Sequence, residues 1–392
     1  MKSVIPLKHR LALLGLAVAA FVFNTSEFMP IGLLIDISAS FDMTEAEAGL
    51  MITVYAWMVA LLSLPLMLLT CHMELKKLMT VTVALFAIGQ ISSGLSVNFP
   101  MLMGARICVA CAHSIFWSIA SPLATRLVTR IHQPTALSII ATGSAIAMIM
   151  GLPIGRVIGL YAGWRMTFML IAVISMGLMT YLAFILPERR QDKSFGLRDL
   201  PGLLQKPEVG SVYLITVLFA TAYYTTYSYI EPFLKEVAGF SPQMITEALV
   251  LLGVCGFLGS VIFSRLYGRM RKDLIRTGLI GICIALSVWE IAASQWWLML
   301  GACMMLGVFS TLFNITFQAE LLKLVSLGAS TVAMSIFSGI FNLGIGSGTW
   351  FGGRLVNSGH LPVLGMAGAG IAAVALFLCL TVYLPKVARN GK

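Results

Sequence analysis

Residues 11–35 read LALLGLAVAAFVFNTSEFMPIGLLI, and what this stretch is decides the fold. Lys8 and Arg10 ahead of an apolar run from Leu11 to Phe23 have the form of a secretory signal. The run continues past Pro30 to Ile35, however, and no polar mature domain follows it. It is therefore read as a first membrane span, since about 20 apolar residues at 1.5 Å each cross a hydrocarbon core. The rest of the chain agrees. Of 392 residues, 59% are hydrophobic and only 11% charged, a composition outside the soluble class. Further apolar stretches lie near residues 47–70, 79–97, 100–125, 135–160 and 165–187. After a polar segment, six more follow near 211–230, 244–266, 274–293, 297–322, 332–356 and 362–385. Their length and continuity exclude a β-barrel, whose strands alternate apolar and polar residues. The expected fold is all-α and integral to the membrane, with twelve transmembrane helices. They divide into an N-terminal six-helix half, residues 1–187, a linker at 188–210 and a C-terminal six-helix half, residues 211–392.

The net charge of +10 invites a nucleic-acid reading, but the 26 Lys and Arg fall in the loops. If the termini and the 188–210 linker share one side, 21 of the 26 lie there, which by the positive-inside rule makes that side cytoplasmic. The basic charge thus reflects topology and not a polyanionic partner. The seven cysteines are odd in number and sit mostly in apolar stretches, so neither a disulfide framework nor a metal cluster is expected. No cofactor is expected either. An intramembrane enzyme would need convergent metal ligands or a nucleophile with its base, and neither pattern is visible.

The two halves carry a faint internal repeat. Phe41 before the second span answers to Phe240 before the eighth, 199 residues on, and Gly155-Arg156 in the fifth answers to Gly353-Arg354 in the eleventh, 198 residues on. A duplicated six-helix unit accounts for both matches. The fifth span also carries Gly143, Gly151-Leu152-Pro153-Ile154-Gly155-Arg156 and Gly159, with Gly163-Trp164-Arg165 beyond it. Small residues at such spacing let membrane helices approach closely.

The fifth-span pattern resembles the antiporter motif of the drug:proton antiporter branch of the major facilitator superfamily. Arg106 with Ala110, Ala112 and His113 is similar to the buried-arginine motif of that superfamily, with Ala110 where a glycine is usual. The loop Cys71-His72-Met73-Glu74-Leu75-Lys76-Lys77 departs from the superfamily's inner-loop motif, whereas Gly259 through Ser264-Arg265-Leu266-Tyr267-Gly268-Arg269-Met270-Arg271-Lys272 matches it better. Residues 24–34, 55–57, 112–118, 227–233 and 337–342 closely resemble the bacterial sugar efflux transporters. That resemblance implies a monomeric, proton-driven exporter of arabinose, lactose and related galactosides and thio-galactosides in the bacterial inner membrane. A multidrug or nucleoside exporter on the same scaffold is the alternative. The expected partners are a small-molecule sugar, protons and membrane lipid.

Ionisable groups at bilayer depth cost about 3 kcal/mol each on insertion scales, so those that remain mark function. Helical rise puts Glu27 and Arg106 at similar depth in the outer half of the membrane, where the resemblance implies that their helices line the cavity and they can pair as the proton-coupling acid and its partner. His113, near the midplane, suits proton handling or a sugar hydroxyl. Glu231 and Glu320 near helix ends are candidates for a second acid, or simply carboxylates that reach water. Sugar sites combine aromatic platforms with amide and hydroxyl partners. Tyr223 and Tyr227 share one face of the seventh span, and Tyr224 and Ser228 another. Asn24, Trp117, Asn314, Gln318 and Asn342 add groups that reach the same cavity, while Tyr229 reads as part of an interfacial belt. Gly151, Pro153, Gly155 and Arg156 are the expected hinge.

Overall fold

The computed structural model describes residues 6–70, 73–129, 132–188, 202, 205–326 and 329–389, and these contain helices and turns but no strand. Twelve helical rods succeed one another. They are α1 Leu7–Ser40, α2 Glu45–Thr70, α3 Leu75–Gly94, α4 Phe99–Arg126, α5 133–162, α6 Trp164–Ile185, α7 207–237, α8 Pro242–Leu266, α9 271–292, α10 Trp296–Leu324, α11 Ser330–Asn357 and α12 361–389. Ten are long and apolar enough to cross a membrane. The other two, α5 and α9, are interrupted: α5 at a π-turn over Ala147–Gly151, and α9 after Ser287. Most of the 188–210 linker, with Cys71, His72 and Arg130, lies outside the described residues.

Local chemistry sets the ends of the rods. Thr44 and Glu47 form a reciprocal capping box at the start of α2, the Thr44 hydroxyl accepting from the Glu47 amide at 3.2 Å and the Glu47 carboxylate accepting from the Thr44 amide at 2.8 Å. Asn98 caps α4 through the Met101 amide at 2.9 Å, and Ser241 caps α8 through the Met244 amide at 3.3 Å. Gly163, at φ 82°, turns the chain from α5 directly into α6. Pro30 lies in a 3₁₀ segment, Met29–Leu33, that interrupts α1. Pro232 ends a short helical turn of α7, after which Phe233–Val237 is π-helical.

The rods pack as two related sets of six. In the first set α1 packs on α5 and α6, α2 on α4, and α3 on α4 and α6; in the second, α7 packs on α11 and α12, α8 on α10, and α9 on α10 and α12. Each contact has its counterpart six helices later, so the repeat seen at two sequence positions extends to the whole packing scheme. The sets meet where α2 lies against α11 and α5 against α8, again a symmetric exchange.

Glycine spacing sets the register of these contacts. Gly143, Gly151, Gly155 and Gly159 of α5 abut Ala17, Thr25, Met29 and Leu33 of α1, always 126 residues apart, so the two rods run parallel in strict register. A Cβ on Gly143 would stand 2.1 Å from the Ala17 carbonyl oxygen, a separation no side chain tolerates. Between the halves the register is antiparallel: Gly339 abuts Ala60, Gly346 Thr53 and Gly353 Ala46, stepping by seven residues in opposite directions. Around the outside, Phe184 is 81% exposed, Ile291 70% and Phe377 64%, faces that suit hydrocarbon and not water.

Candidate functional site

The polar residues of the first half converge on one buried cluster among α1, α3 and α4. Glu27 is 9% exposed, and its Oε2 lies 3.6 Å from Nε2 of His113, which is itself buried. Arg106, paired with Glu27 in the sequence reading, is within electrostatic reach of it, but its hydrogen bonds go elsewhere. Arg106 turns to the backbone bend beside Glu27, donating to Ser26 Oγ at 3.3 Å and to the Ser26 carbonyl at 3.2 Å. The Gln90 amide of α3 donates to the same Ser26 hydroxyl at 2.5 Å. The guanidinium carbon stands 4.3 Å from the centroid of the Tyr55 ring, and the ring meets His113 edge-on at 5.7 Å. One register step separates Ser26 from Glu27, and one to two turns of α4 separate Arg106 from His113, so the carboxylate and the hydroxyl address different partners along the same helix.

Two features make this cluster more than a satisfied core. The Nε of Arg106, Nδ1 of His113, Oε1 of Gln90 and the Tyr55 hydroxyl are all buried without a hydrogen-bond partner, and buried polar atoms are normally paired. The carboxylate and imidazole are also two titratable groups close enough for each to feel the other's charge. Ser26, Tyr55 and Gln90 received no role in the sequence reading. The signal for Gln90 was present, a lone amide in an otherwise apolar span, and a retained amide there needs a partner.

Across the seam, α7 presents an aromatic wall. Tyr223 and Tyr227 stack with centroids 4.9 Å apart, as their spacing predicts, and Tyr224 stands edge-on to both at 5.0 and 5.6 Å. Tyr224 reaches Phe28 of the first half at 6.4 Å and Phe341 of α11 at 6.2 Å. Glu27 is within electrostatic reach of both Tyr224 and Tyr227, so the acid and the aromatic wall approach each other from opposite halves. Trp117 lies beside His113 at 6.2 Å and is partly exposed, and Asn24 lines α1 three residues before Glu27. The two rod sets related by symmetry meet along α2–α11 and α5–α8, with polar groups at the seam.

A family model described as Major Facilitator Superfamily matches residues 16–289 and 212–392. The chain belongs to the major facilitator superfamily. It is similar in fold to the human organic anion transporter MFSD10 (TETRAN), with a TM-score of 0.74 at 12% identity over 95% of this chain and 99% of that one. It is accordingly a multi-pass membrane transporter and not an enzyme.

Other expected residues of this superfamily member have different surroundings. Asn314 and Gln318 are paired by a hydrogen bond along α10 and are partly buried. Asn342 donates to the Ser338 carbonyl of its own helix at 3.0 Å, leaving its Oδ1 buried and unpartnered. Ser228 is fully buried with its hydroxyl 2.7 Å from that of Thr349, a link between α7 and α11. Tyr229, read as an interfacial residue, is 1% exposed instead: its hydroxyl donates to the Thr349 carbonyl at 3.1 Å, and its ring fills the space left by Gly49, Gly352 and Gly353. Glycines on two neighbouring rods make room for a ring that sequence spacing alone assigns to lipid.

The two candidate second acids are equally buried. Glu320 is held by Arg271 at 2.5 and 2.6 Å, by Tyr267 at 2.5 Å and by Tyr383 at 2.7 Å. These donors come from the C-cap of α8, from α9 and from α12, so Glu320 ties four rods of the second half together. Glu231 meets Arg156 across the seam between the halves. In α5, Gly151 and Gly155 are pressed against α1, and the π-turn at Ala147–Gly151 precedes Pro153, so the expected hinge residues begin where an existing irregularity of the rod ends.

Proposed function

We propose that the chain is a proton-coupled exporter of sugars, among them arabinose, lactose and related galactosides and thio-galactosides. It would act by rocking the 1–187 half against the 211–392 half about a midplane site. The observation that carries this reading is the meeting of a buried carboxylate–imidazole pair with an aromatic wall from the other half. Aromatic faces take up the apolar face of a sugar ring, while amides and hydroxyls take its edges. Tyr223, Tyr224 and Tyr227 would supply the platforms, with Trp117 opposite. Asn24, Asn342, Asn314 and Gln318 would supply the polar contacts, and Ser228 would act by holding α7 on α11.

Glu27 and His113 would carry the coupled proton, and Arg106 would position Glu27 by holding Ser26. Because acid and wall belong to opposite halves, protonation changes the charge at the surface the halves share, which couples proton state to their separation. Gly151, Pro153, Gly155 and Arg156 would form the bending region. The basic residues favour cytoplasmic termini and a cytoplasmic linker, and the resemblance to bacterial sugar efflux transporters favours a bacterial inner membrane. We read the transporter as a monomer.

Proteoliposomes with an imposed pH gradient test this function. Wild-type protein is expected to accumulate a labelled galactoside uphill, and Glu27→Gln to lose accumulation while keeping downhill exchange. Uphill transport by Glu27→Gln removes Glu27 from the role, and transport of lipophilic drugs without sugars in the same vesicles replaces the substrate assignment. A cysteine placed at Ser194 that reacts with an outside-only reagent in intact cells would overturn the orientation.

A further inference from the structure

Arg156 and Glu231 are 4% and 2% exposed, and they join α5 of one half to α7 of the other by an ion pair. Arg156 also donates to the Gly32 carbonyl of α1 at 3.4 Å. Three rods therefore meet at one guanidinium, and each is irregular nearby: α1 in its 3₁₀ segment Met29–Leu33, α5 at Ala147–Gly151, and α7 from Tyr229 through Val237. The repeat sharpens the point. The counterpart of Arg156 is Arg354, 198 residues on, yet Arg354 is exposed and stands over the Trp350 ring at 5.3 Å. One half of a duplicated fold has built a buried charge into the seam, and the other has not.

The geometry points to Arg156 and Glu231 as a latch that holds the halves together at the end of the molecule opposite the N-terminus, and whose release is required for that end to open. This inference rests on the alternating-access reading above and adds the element that makes one closed state discrete. A buried ion pair is weak evidence for stability, because desolvating two charges offsets much of their attraction; its better-attested role is to specify one arrangement over another. Here the pair is incompletely satisfied, with Glu231 Oε2 and Arg156 Nε buried and unpartnered. While the seam is dry Glu231 has Arg156 as its partner, and Arg156 has Glu231, the Gly32 carbonyl and the nearby charge of Asp36, whereas once it parts water solvates both. Intermediate separations satisfy neither condition, so closure and opening become two states with a barrier between them. The neighbouring contact of the seam, Thr44 with Asn357 at 3.3 Å, is neutral and carries no such penalty, and Ser118 with Ser335 at 3.3 Å, towards the other end of the rods, is neutral too.

Removing Arg156 strands Glu231 in the closed state but not in the hydrated open state, and removing Glu231 leaves Arg156 there with only the Gly32 carbonyl and Asp36, so single variants shift the population towards opening. Spin labels at Thr44 and Asn357, exposed residues that face each other across this end, report the separation by electron–electron double resonance in purified, monodisperse protein. Glu231→Gln is expected to raise the ratio of long to short distances at least fivefold over wild type, and the charge reversal Arg156→Glu with Glu231→Arg to return it to within twofold. If the reversed chain does not fold, Arg156→Gln with Glu231→Gln decides, since the doubly neutral chain should close more than Glu231→Gln alone. An unchanged distribution in Glu231→Gln, or one that neither double variant restores, overturns the latch. Sugar flux in the wild-type preparation is a separate readout: its absence alongside an intact distance shift sinks the substrate assignment and leaves the latch standing.

Discussion

The two halves share a packing scheme but not a chemistry. The core of the first is polar: Ser26, Glu27, Gln90, Arg106 and His113 occupy the space among α1, α3 and α4, with Tyr55 on α2 as their aromatic contact. The second fills the corresponding region with rings, Phe219 on Phe313 at 3.6 Å and Phe313 on Phe317 at 4.2 Å, running on to Tyr223 and Tyr227. At the repeat offset of 199, Ser26 and Glu27 answer to Thr225 and Thr226. Duplication preserved the helix contacts and freed the interior positions, because a packing scheme constrains small residues at crossings far more than it constrains what faces the centre. The polar core of the first half can respond to protons and to field; the second half, whose buried carboxylate Glu320 is tied up by Arg271, Tyr267 and Tyr383, offers area and shape.

Breaking the polar core should have the largest effect. Arg106→Ala removes the donor to Ser26 and opens a cavity under Tyr55, and loss of a buried charged partner costs about 3–5 kcal/mol. The protein is expected to lose most folded yield in detergent, read by size-exclusion chromatography, whereas a C-half counterpart such as Phe313→Leu should fold.

Next in size are the glycine seams. Gly348→Val would place a Cβ 2.4 Å from the Thr221 carbonyl on α7, and overpacking of this kind costs roughly 1–3 kcal/mol or more. Its melting temperature should fall clearly below that of Gly301→Val, a change at a position with open space around it.

A moderate and informative contrast lies within α7. Tyr227→Ala is expected to raise the sugar KM with little change in melting temperature, whereas Tyr229→Ala should lower the melting temperature by leaving the Gly49–Gly353 space empty. Equal effects of the two on KM would erase the distinction between wall and seam. The smallest change expected is Ser228→Ala, which removes one partner of Thr349 and costs about 1 kcal/mol, visible in stability and not in substrate preference.

How much of this was legible in the chain varies with the physics involved. Span existence was plain, because a hydrocarbon core demands long apolar runs and backbone groups satisfied within the segment. Glu27, Arg106 and His113 stood out as ionisable groups where such groups are costly. Depth arithmetic put Glu27 beside Arg106, yet their pairing depends on which way each side chain turns around its rod. A difference of one residue sends Ser26 to Arg106 and Glu27 to His113. Tyr229 and Glu231 were misjudged for a related reason: distance from a helix end says how far along a rod a residue lies, not whether another rod covers it.

Taken alone, the sequence determined an all-helical membrane protein, a two-fold repeat, the charged and aromatic residues available to a site, and the glycines that permit close crossings. These follow from composition and periodicity, which solvent and helix geometry read directly. Only the tertiary structure decided that α2 lies on α11 and α5 on α8, that Gln90 joins Ser26 and Arg106, that Glu320 braces the second half, and that Arg156 reaches Glu231 across the seam. Partners 49 or more residues apart are set by how rods rotate and cross, and that choice is made by the packing of all twelve at once.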